Sequence, residues 1–288
     1  MKISNAERAK ILVSALPYIQ EYNGKIVVIK YGGNAMINED LKNSVVRDIV
    51  LLQLVGVKVV LVHGGGPEIT DMLKRVGKET QFIDGLRVTD KETIEITQMV
   101  LAGKINKSLV NLIECCGGKS MGLSGIDGHM IQAEVKAEKL GYVGNITSIN
   151  PEPILDVIEK GYIPVVSTIG CDNEGNVYNI NADTAAAKIA GALDAESLIS
   201  LTDISGILMD KDDPETLIPH ITVKETQKLI DDGIISDGMI PKVECCTNAI
   251  KDGVKKVFII DGRIPHSILI ETLTDEGIGT MFEGDKND

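Results

Sequence analysis

Tryptophan is absent from the 288-residue chain, and aromatic residues make up only 3% of it. A core without large rings must be assembled from Ile, Val, Leu, Ala and Met, the composition of strands buried on both faces between helices. Long apolar runs are missing too: none approaches the roughly 18 residues that span a bilayer. The opening residues also lack the basic-then-apolar pattern of a secretory signal. These absences predict a soluble, cytoplasmic protein with no membrane partner. Cysteine is limited to five residues, an odd number without CxxC spacing. Cys115 with Cys116, and Cys245 with Cys246, are sequence neighbours that point apart on a helix. The pattern excludes a disulfide framework and predicts small buried hydrophobes in a reducing compartment. A cationic surplus is lacking as well. With a formal net charge of −13 and scattered Lys and Arg, the chain has no basic face for nucleic acid. An anionic small substrate must then be held by local cations against the long-range field.

What the chain does have is glycine in telling places. In 57–70 (VKVVLVHGGGPEIT) a β-branched strand ends at His63, and Gly64, Gly65, Gly66 and Pro67 lead into a helix. Amides at such a turn point outward unpaired, the helix dipole adds positive charge, and absent side chains let an anion come close. A shorter version occurs at 25–33, where KIVVIKY runs into Gly32 and Gly33 with Lys30 just before them. Two cradles on neighbouring strands predict that two anionic partners meet there.

Strand and helix signals alternate along the chain. Strands are expected at 25–31, 57–63, 120–124, 130–135, 162–167, 197–202, 256–260 and 278–282. Helices are expected at 40–54, 67–77, 151–160, 183–192, 222–232 and 241–251, with a long one from a Thr89/Glu92 capping box to about Cys116. Regular alternation predicts a mostly parallel sheet with helices on both faces. A further helix opens the chain behind a Ser4/Glu7 capping box, with Pro17 as its kink. It has no preceding strand to pack on, so its apolar stripe must dock on the domain or on another subunit. No internal repeat or low-complexity linker divides the chain.

Familiar phosphate loops fail on inspection. A Walker A reading of Gly118-Lys119-Ser120 needs glycine at position 113, which is isoleucine, and neither glycine turn spells GxGxxG. His63–Gly66 does spell the HGGG of hydrolase oxyanion holes, and Gly118–Gly122 matches GxSxG. A nucleophile elbow, however, needs a strand before the serine and a helix after it, and here the order is reversed. Lys30 ends an otherwise apolar strand and aims a cation at the carboxyl end of the sheet, where open α/β sheets bind ligands. Lys242 follows Pro241 at the start of a helix, an unfavourable place for a cation unless an anion neutralises it. In 179–188 (NINADTAAAK), Asn179, Asn181 and Asp183 alternate at a loop-to-helix junction. Asp183 can act as a cap there or hold nearby lysines. Arg87, in GLRVTD, suits a bidentate clamp on a carboxylate.

Taken together, KYGGNAM at 30–36, VHGGGPEI at 62–69, GLRVTD at 85–90, NINADTAA at 179–186, LTDISGIL at 201–208 and GMIPKVE at 238–244 resemble the amino acid kinase family. The likeness is strongest to its members acting on N-acetyl-L-glutamate. It implies a three-layer αβα sandwich around one largely parallel sheet of about eight strands. It also implies an acetylglutamate-binding and dimerising lobe at 25–191, an ATP-binding lobe at 192–288, and an oligomerising helix at 1–24. The implied reaction is transfer of the ATP γ-phosphoryl to the side-chain carboxylate of N-acetyl-L-glutamate in arginine biosynthesis. Mg²⁺ would ride on the phosphates, with no dedicated protein metal site.

Carried over by position, Lys30 and Lys242 would neutralise the transferring phosphoryl group and Asp183 would order both. Gly33 and Gly65 would donate N–H groups to its oxygens. Arg87, Gly65, Gly66, Asn179 and Asn181 would form the substrate pocket, and Lys30, Gly32, Thr202, Asp203, Gly206 and Lys242 the nucleotide site. The opening helix and the tail resemble the arginine-inhibited branch, with arginine near Lys211, His266, Glu271 and Gly277 and dimers joined into a hexamer. Sibling kinases for N-acetyl-aminoadipate or carrier-linked glutamate stay open as alternatives. A non-catalytic amino-acid sensor is the remaining one, although a sensor has no use for both lysines together with Asp183.

Overall fold

The computed structural model describes residues 4–36 and 38–285. Two short helices, α1 (Asn5–Ser14) and α2 (Leu16–Tyr22), lead to strand β1 (Ile26–Tyr31). Then come α3 (Glu39–Leu54), β2 (Lys58–His63), α4 (Gly66–Arg75), the two-residue strands β3 (Phe82–Ile83) and β4 (Leu86–Arg87), and α5 (Lys91–Gln98). A π-helical segment, Met99–Ile105, joins α5 to α6 (Asn106–Cys115) and β5 (Ser120–Ser124). The middle of the chain holds β6 (Ile131–Val135), β7 (Gly144–Ile149), α7 (Glu152–Glu159), β8 (Ile163–Ser167), β9 (Ile169–Cys171) and β10 (Val177–Asn179). Helix α8 (Ala182–Ala192) and β11 (Ser197–Thr202) follow, then β12 (His220–Thr222), α9 (Val223–Asp231), α10 (Ile240–Lys251), β13 (Lys256–Asp261), α11 (Ser267–Leu273) and β14 (Thr280–Glu283).

Eight of these strands form one sheet in the order β12-β14-β13-β11-β1-β2-β8-β5. Every pairing in it is parallel except β13 with β14. This is the expected mostly parallel sheet of about eight strands between helical layers, and it runs unbroken through both halves of the chain. Because side chains alternate along a strand, Ile29 and Tyr31 of β1 face one core with Ile49, Leu109 and Ile268. Val28 faces the opposite core with Ala186, Ala190 and Val243. Lys30 shares the parity of Val28 and so points toward α8 and α10.

Seven of the eight expected strands join this sheet; the eighth, 130–135, is β6 and pairs instead in a separate four-stranded sheet, β10-β9-β6-β7, while β12 takes the remaining place beside β14. Several local features also differ from expectation. Asp90, not Thr89, caps α5, its side chain accepting from the Thr93 N–H at 2.8 Å. The Thr89 hydroxyl instead donates to the Arg87 carbonyl at 2.8 Å. The Ser4/Glu7 capping box forms, and the opening helix breaks at Ala15 beside Pro17. All five cysteines are free, yet Cys115 is exposed rather than buried. Ser120 heads β5 and its hydroxyl donates to the Val110 carbonyl at 3.2 Å, in keeping with a strand start rather than a nucleophile elbow. No helix among the described residues is long and apolar enough to cross a membrane.

The central strands carry the stability of the whole. Ile199→Ala, at a fully buried position of β11, should lower the unfolding free energy by about 2–5 kcal/mol in urea titration. A loss under about 1 kcal/mol would mean that the core holding Ile29 and Tyr31 is not packed against β11 as described.

Candidate active site

Residues 30, 183 and 242 meet in space. Lys30 Nζ lies 2.9 Å from Asp183 Oδ1, and Lys242 Nζ lies 3.3 Å from Asp183 Oδ2, so one carboxylate bridges two ammonium groups. The Lys30 side chain is 9% exposed and that of Asp183 19%. Burial pushes the Asp183 carboxyl up, but the charges of Lys30 and Lys242 outweigh it and hold the group below the usual carboxylate range. Two unit charges about 4 Å apart at an effective dielectric of ~20 attract by roughly 4 kcal/mol, enough to fix a buried side chain. Lys242, a third exposed, is screened more. The Ser200 hydroxyl donates to Asp183 Oδ1 at 3.4 Å from the adjacent strand β11.

Helix caps explain how Asp183 becomes available. Asn181 is the N-cap of α8, its Oδ1 accepting from the N–H groups of Asp183 and Thr184, each at 3.0 Å. The capping alternative for Asp183 is therefore filled by Asn181, and the Asp183 carboxylate is left to the lysines. Lys242 stands in the first turn of α10, where a cation opposes the helix dipole, and Asp183 supplies the anion that offsets it.

The two glycine turns flank this bridge. A Cβ built on Gly32 would lie 3.2 Å from Lys30 Nζ, so the ammonium folds back over that turn. Gly33 has φ +68°, and a Cβ there would fall 2.8 Å from the Asp203 carboxylate. On the second turn, a Cβ on Gly64 would sit 3.1 Å from the Ala182 methyl, which brings the starts of α4 and α8 together. With α10 joined through Asp183, three helix N-termini converge, and their partial positive charges favour an anion.

Beside the second turn opens a cleft of about 170 Å³ lined by Gly65, Gly66, Arg87, Asn179 and Asn181, with Leu101 and Val143 among its apolar walls. All five expected pocket residues thus line one space. Arg87 is buried, donating through Nη2 to the Gly66 carbonyl and the Thr70 hydroxyl, both at 2.8 Å, and through Nη1 to Thr80 at 3.2 Å. Its guanidinium also stacks 4.9 Å from the Phe82 ring centre. These contacts preset its position. Asn179 donates to Thr89 at 3.3 Å from the end of β10.

Other expected residues are dispersed. Thr202 is buried, its hydroxyl donating to the carbonyls of Ile204 and Ile260 at 3.1 and 3.2 Å, so it shapes the loop from inside. Gly206 has φ +137° and packs against Leu217 and Thr280. In the tail, Glu271 accepts the Ile278 N–H at 2.9 Å, and a Cβ on Gly277 would lie 3.1 Å from its carboxylate. His266 heads α11 and its Nδ1 is 2.6 Å from Asp48 Oδ1. Burial raises the Asp48 carboxyl to about 6, moderated by that His266 bond. Lys211 lies on the exposed loop between β11 and β12, and no ion pair joins it to the other three among the described residues. No three metal-ligating side chains cluster among the described residues either.

The sequence model of the amino acid kinase family matches residues 25–261. The chain belongs to the amino acid kinase family. Within that family it is 58% identical to the acetylglutamate kinase of Brachyspira hyodysenteriae, over 98% of this chain and 99% of that one. It is 55% identical to the acetylglutamate kinase of Desulforamulus reducens over 98% and 100% of the two chains. By these matches it groups with the acetylglutamate kinases as an enzyme of the amino acid kinase family. Among solved structures, the N-acetylglutamate synthase of Neisseria gonorrhoeae, complexed with coenzyme A and N-acetyl-glutamate, superposes with a TM-score of 0.84 at 25% identity. That match covers 96% of this chain but 63% of the synthase. Carbamate kinase from Giardia lamblia bound to AMP-PNP shares the fold at a TM-score of 0.65 and 17% identity, over 91% of this chain and 99% of that one.

Two polar residues beneath the second turn were not singled out by sequence. His63 and Asn106 are buried at 0% and 1% exposure, and only His63 stood in a motif. Burial lowers the His63 imidazole to about 4, against an ordinary value of about 6.5. Between those values the unfolded chain binds a proton that the folded one refuses. The stabilisation is complete above ~6.5 and is lost as pH falls toward about 4, to a total of about 3 kcal/mol. Urea midpoints at neutral and acid pH should therefore fall more steeply for the wild type than for His63→Asn, which cannot titrate; Asp48 is common to both chains and cancels. Equal slopes would remove the buried neutral histidine from the account.

Proposed function

We propose that the chain transfers the γ-phosphoryl group of MgATP to the side-chain carboxylate of N-acetyl-L-glutamate, giving N-acetylglutamyl 5-phosphate for arginine biosynthesis. The observation that carries this reading is the Lys30–Asp183–Lys242 bridge between two glycine turns. Phosphoryl transfer to a carboxylate needs no general base, because the nucleophile is already ionised. Catalysis then reduces to alignment and to neutralising charge on the moving group. Lys30 and Lys242 supply the positive charge, Asp183 spaces them, and the N–H groups of Gly33 and Gly65 take phosphoryl oxygens. Arg87, with Asn179 and Asn181, holds the amino-acid end in the cleft beside Gly65 and Gly66. The segment 25–191 serves as the acetylglutamate lobe and 192–288 as the ATP lobe, with Gly32, Asp203, Gly206 and Thr202 framing the nucleotide. Mg²⁺ enters as part of the nucleotide substrate. A biosynthetic enzyme of this kind works in the cytoplasm.

ADP release measured with N-acetylglutamate, free glutamate and N-acetyl-aminoadipate tests the substrate. N-acetylglutamate should lead N-acetyl-aminoadipate by at least about tenfold in kcat/KM, since one methylene is worth about 1–3 kcal/mol. Lys30→Ala and Lys242→Ala should each lower kcat by at least about 100-fold with the fold intact by circular dichroism. A better rate with the aminoadipate, or full turnover in both variants, would refute the reading.

The same reading includes feedback inhibition by arginine and assembly through the opening helix. Helix α1 buries none of its residues, and Ile11, Leu12 and Val13 are 58%, 76% and 67% exposed, an apolar surface suited to a second copy of the chain. Tyr18 of α2 bonds to Asp275 beside Glu271 and Gly277, which joins that helix to the tail. Glu271 would take a guanidinium, with His266 and Lys211 nearby. Activity across an arginine titration should fall to a low plateau, and Glu271→Ala should raise the half-inhibitory concentration at least about tenfold. A flat titration for the wild type excludes the regulatory claim.

A further inference from the structure

We infer that His63 and Asn106 are positioning residues that aim the Gly65 N–H at the transferring phosphoryl group. The inference rests on the phosphoryl-transfer reading above and adds a part to it. His63 ends β2, and its Nδ1 lies 2.9 Å from the Gly64 carbonyl oxygen. A carbonyl only accepts, so Nδ1 carries the hydrogen. On the far side of the ring, Nε2 is 3.2 Å from Asn106 Nδ2, an amide nitrogen that only donates, so Nε2 carries its lone pair. The orientation of the Asn106 amide is forced: the same nitrogen lies 2.8 Å from the Val165 carbonyl and 3.1 Å from that of Leu123, where an oxygen would be repelled. The Gly64 carbonyl thus holds the hydrogen on Nδ1, and the Asn106 nitrogen, whose two hydrogens are shared among Nε2 and two carbonyls, offers an Nε2–H no acceptor, so one neutral tautomer is favoured at both nitrogens.

The consequence reaches the active site through a single peptide plane. The Gly64–Gly65 bond is trans, as are all peptide bonds among the described residues, and in a planar trans unit the C=O and the following N–H are antiparallel. Holding the Gly64 oxygen on His63 thus turns the Gly65 N–H away from the sheet, toward the space between the glycine turns.

The chain makes room for this arrangement at two further points. A Cβ on Gly122 would fall 2.0 Å from Asn106 Oδ1, so β5 admits the buried amide only because glycine stands there. The π-helical segment 99–105 immediately precedes Asn106, and its Leu101 and Ile105 side chains close over Gly65. The wide turn lets one helix place apolar cover on the glycine and an amide on the histidine.

His63→Phe keeps the ring volume but removes both nitrogens, whereas in His63→Asn the amide nitrogen falls near the position of Nδ1. With equal folded fractions, His63→Phe should lose at least about tenfold in kcat with KM for both substrates within about twofold. His63→Asn should recover to within about threefold of the wild type. Nitrogen NMR of the wild type should show Nδ1 protonated and Nε2 bare from about pH 5.5 to 8.5. Where His63→Phe fails to fold, Asn106→Leu replaces it and should lower kcat severalfold while loosening the tautomer. A His63→Asn enzyme as slow as His63→Phe, an undiminished His63→Phe enzyme, or an Nε2–H tautomer would overturn the inference. Lys30→Ala separates the two claims. It should abolish turnover and leave the His63 tautomer unchanged, and a fully active Lys30→Ala enzyme overturns the phosphoryl-transfer reading rather than the His63–Asn106 pair.

Discussion

A single carboxylate held between two ammonium groups organises the functional end of this molecule. Asp183 ties the functional ends of β1, α8 and α10 to one point through its two ion pairs, across sequence separations far too long for local preference to control. Its ion pairs are strong because Lys30 and Asp183 are largely shielded from water, and each charge would be costly without the other. Removing the acid would leave two like charges facing each other at the start of α10. The bridge itself carries a net positive charge in a strongly acidic protein. An anionic ligand therefore meets local attraction where the surrounding field is unfavourable.

The sheet decides where that point lies. Parallel strands bring their carboxyl ends to one edge, and β1 and β2 are adjacent, with Tyr31 opposite His63. The glycine turns that follow them must then lie side by side. Strand alternation sends Lys30 toward α8 while Tyr31 packs in the opposite core, so one residue of register separates a ligand-facing cation from a buried phenol. The starts of α4, α8 and α10 close the same space, which makes the anion preference a property of backbone as well as side chains.

Much of this was legible in the chain. The runs KIVVIKY, VKVVLVH and YIPVVS, rich in β-branched residues, mark strands at almost their observed bounds, and Ser4 with Glu7 ahead of helical periodicity marks the first helix start. Five of the six segments that carry the family resemblance meet at the lysine bridge and its neighbouring cleft, and the sixth, 201–208, reaches the first glycine turn only through Asp203. Other features were not legible. β9, β10 and β12 have three residues each, too few for any period to emerge, and they exist because neighbouring strands offer open edges. The choice of Asp90 over Thr89 as a cap, and of Asn181 over Asp183, turns on which of two competent side chains the incoming loop aims at the helix. Cys115 was expected inside on composition alone, but the end of α6 turns it outward.

By itself the sequence determined the alternation of elements, the glycine turns at strand ends, and the supply of Lys30, Lys242, Asp183 and Arg87, because period, backbone freedom and charge are local properties. Tertiary structure alone decided which acid meets which lysine, that Arg87 is preset by Gly66, Thr70 and Thr80, and that a histidine inside a glycine motif rests on the amide of a distant asparagine. Those are matters of distance between remote segments, and distance is set by how the layers pack rather than by any residue's own preference.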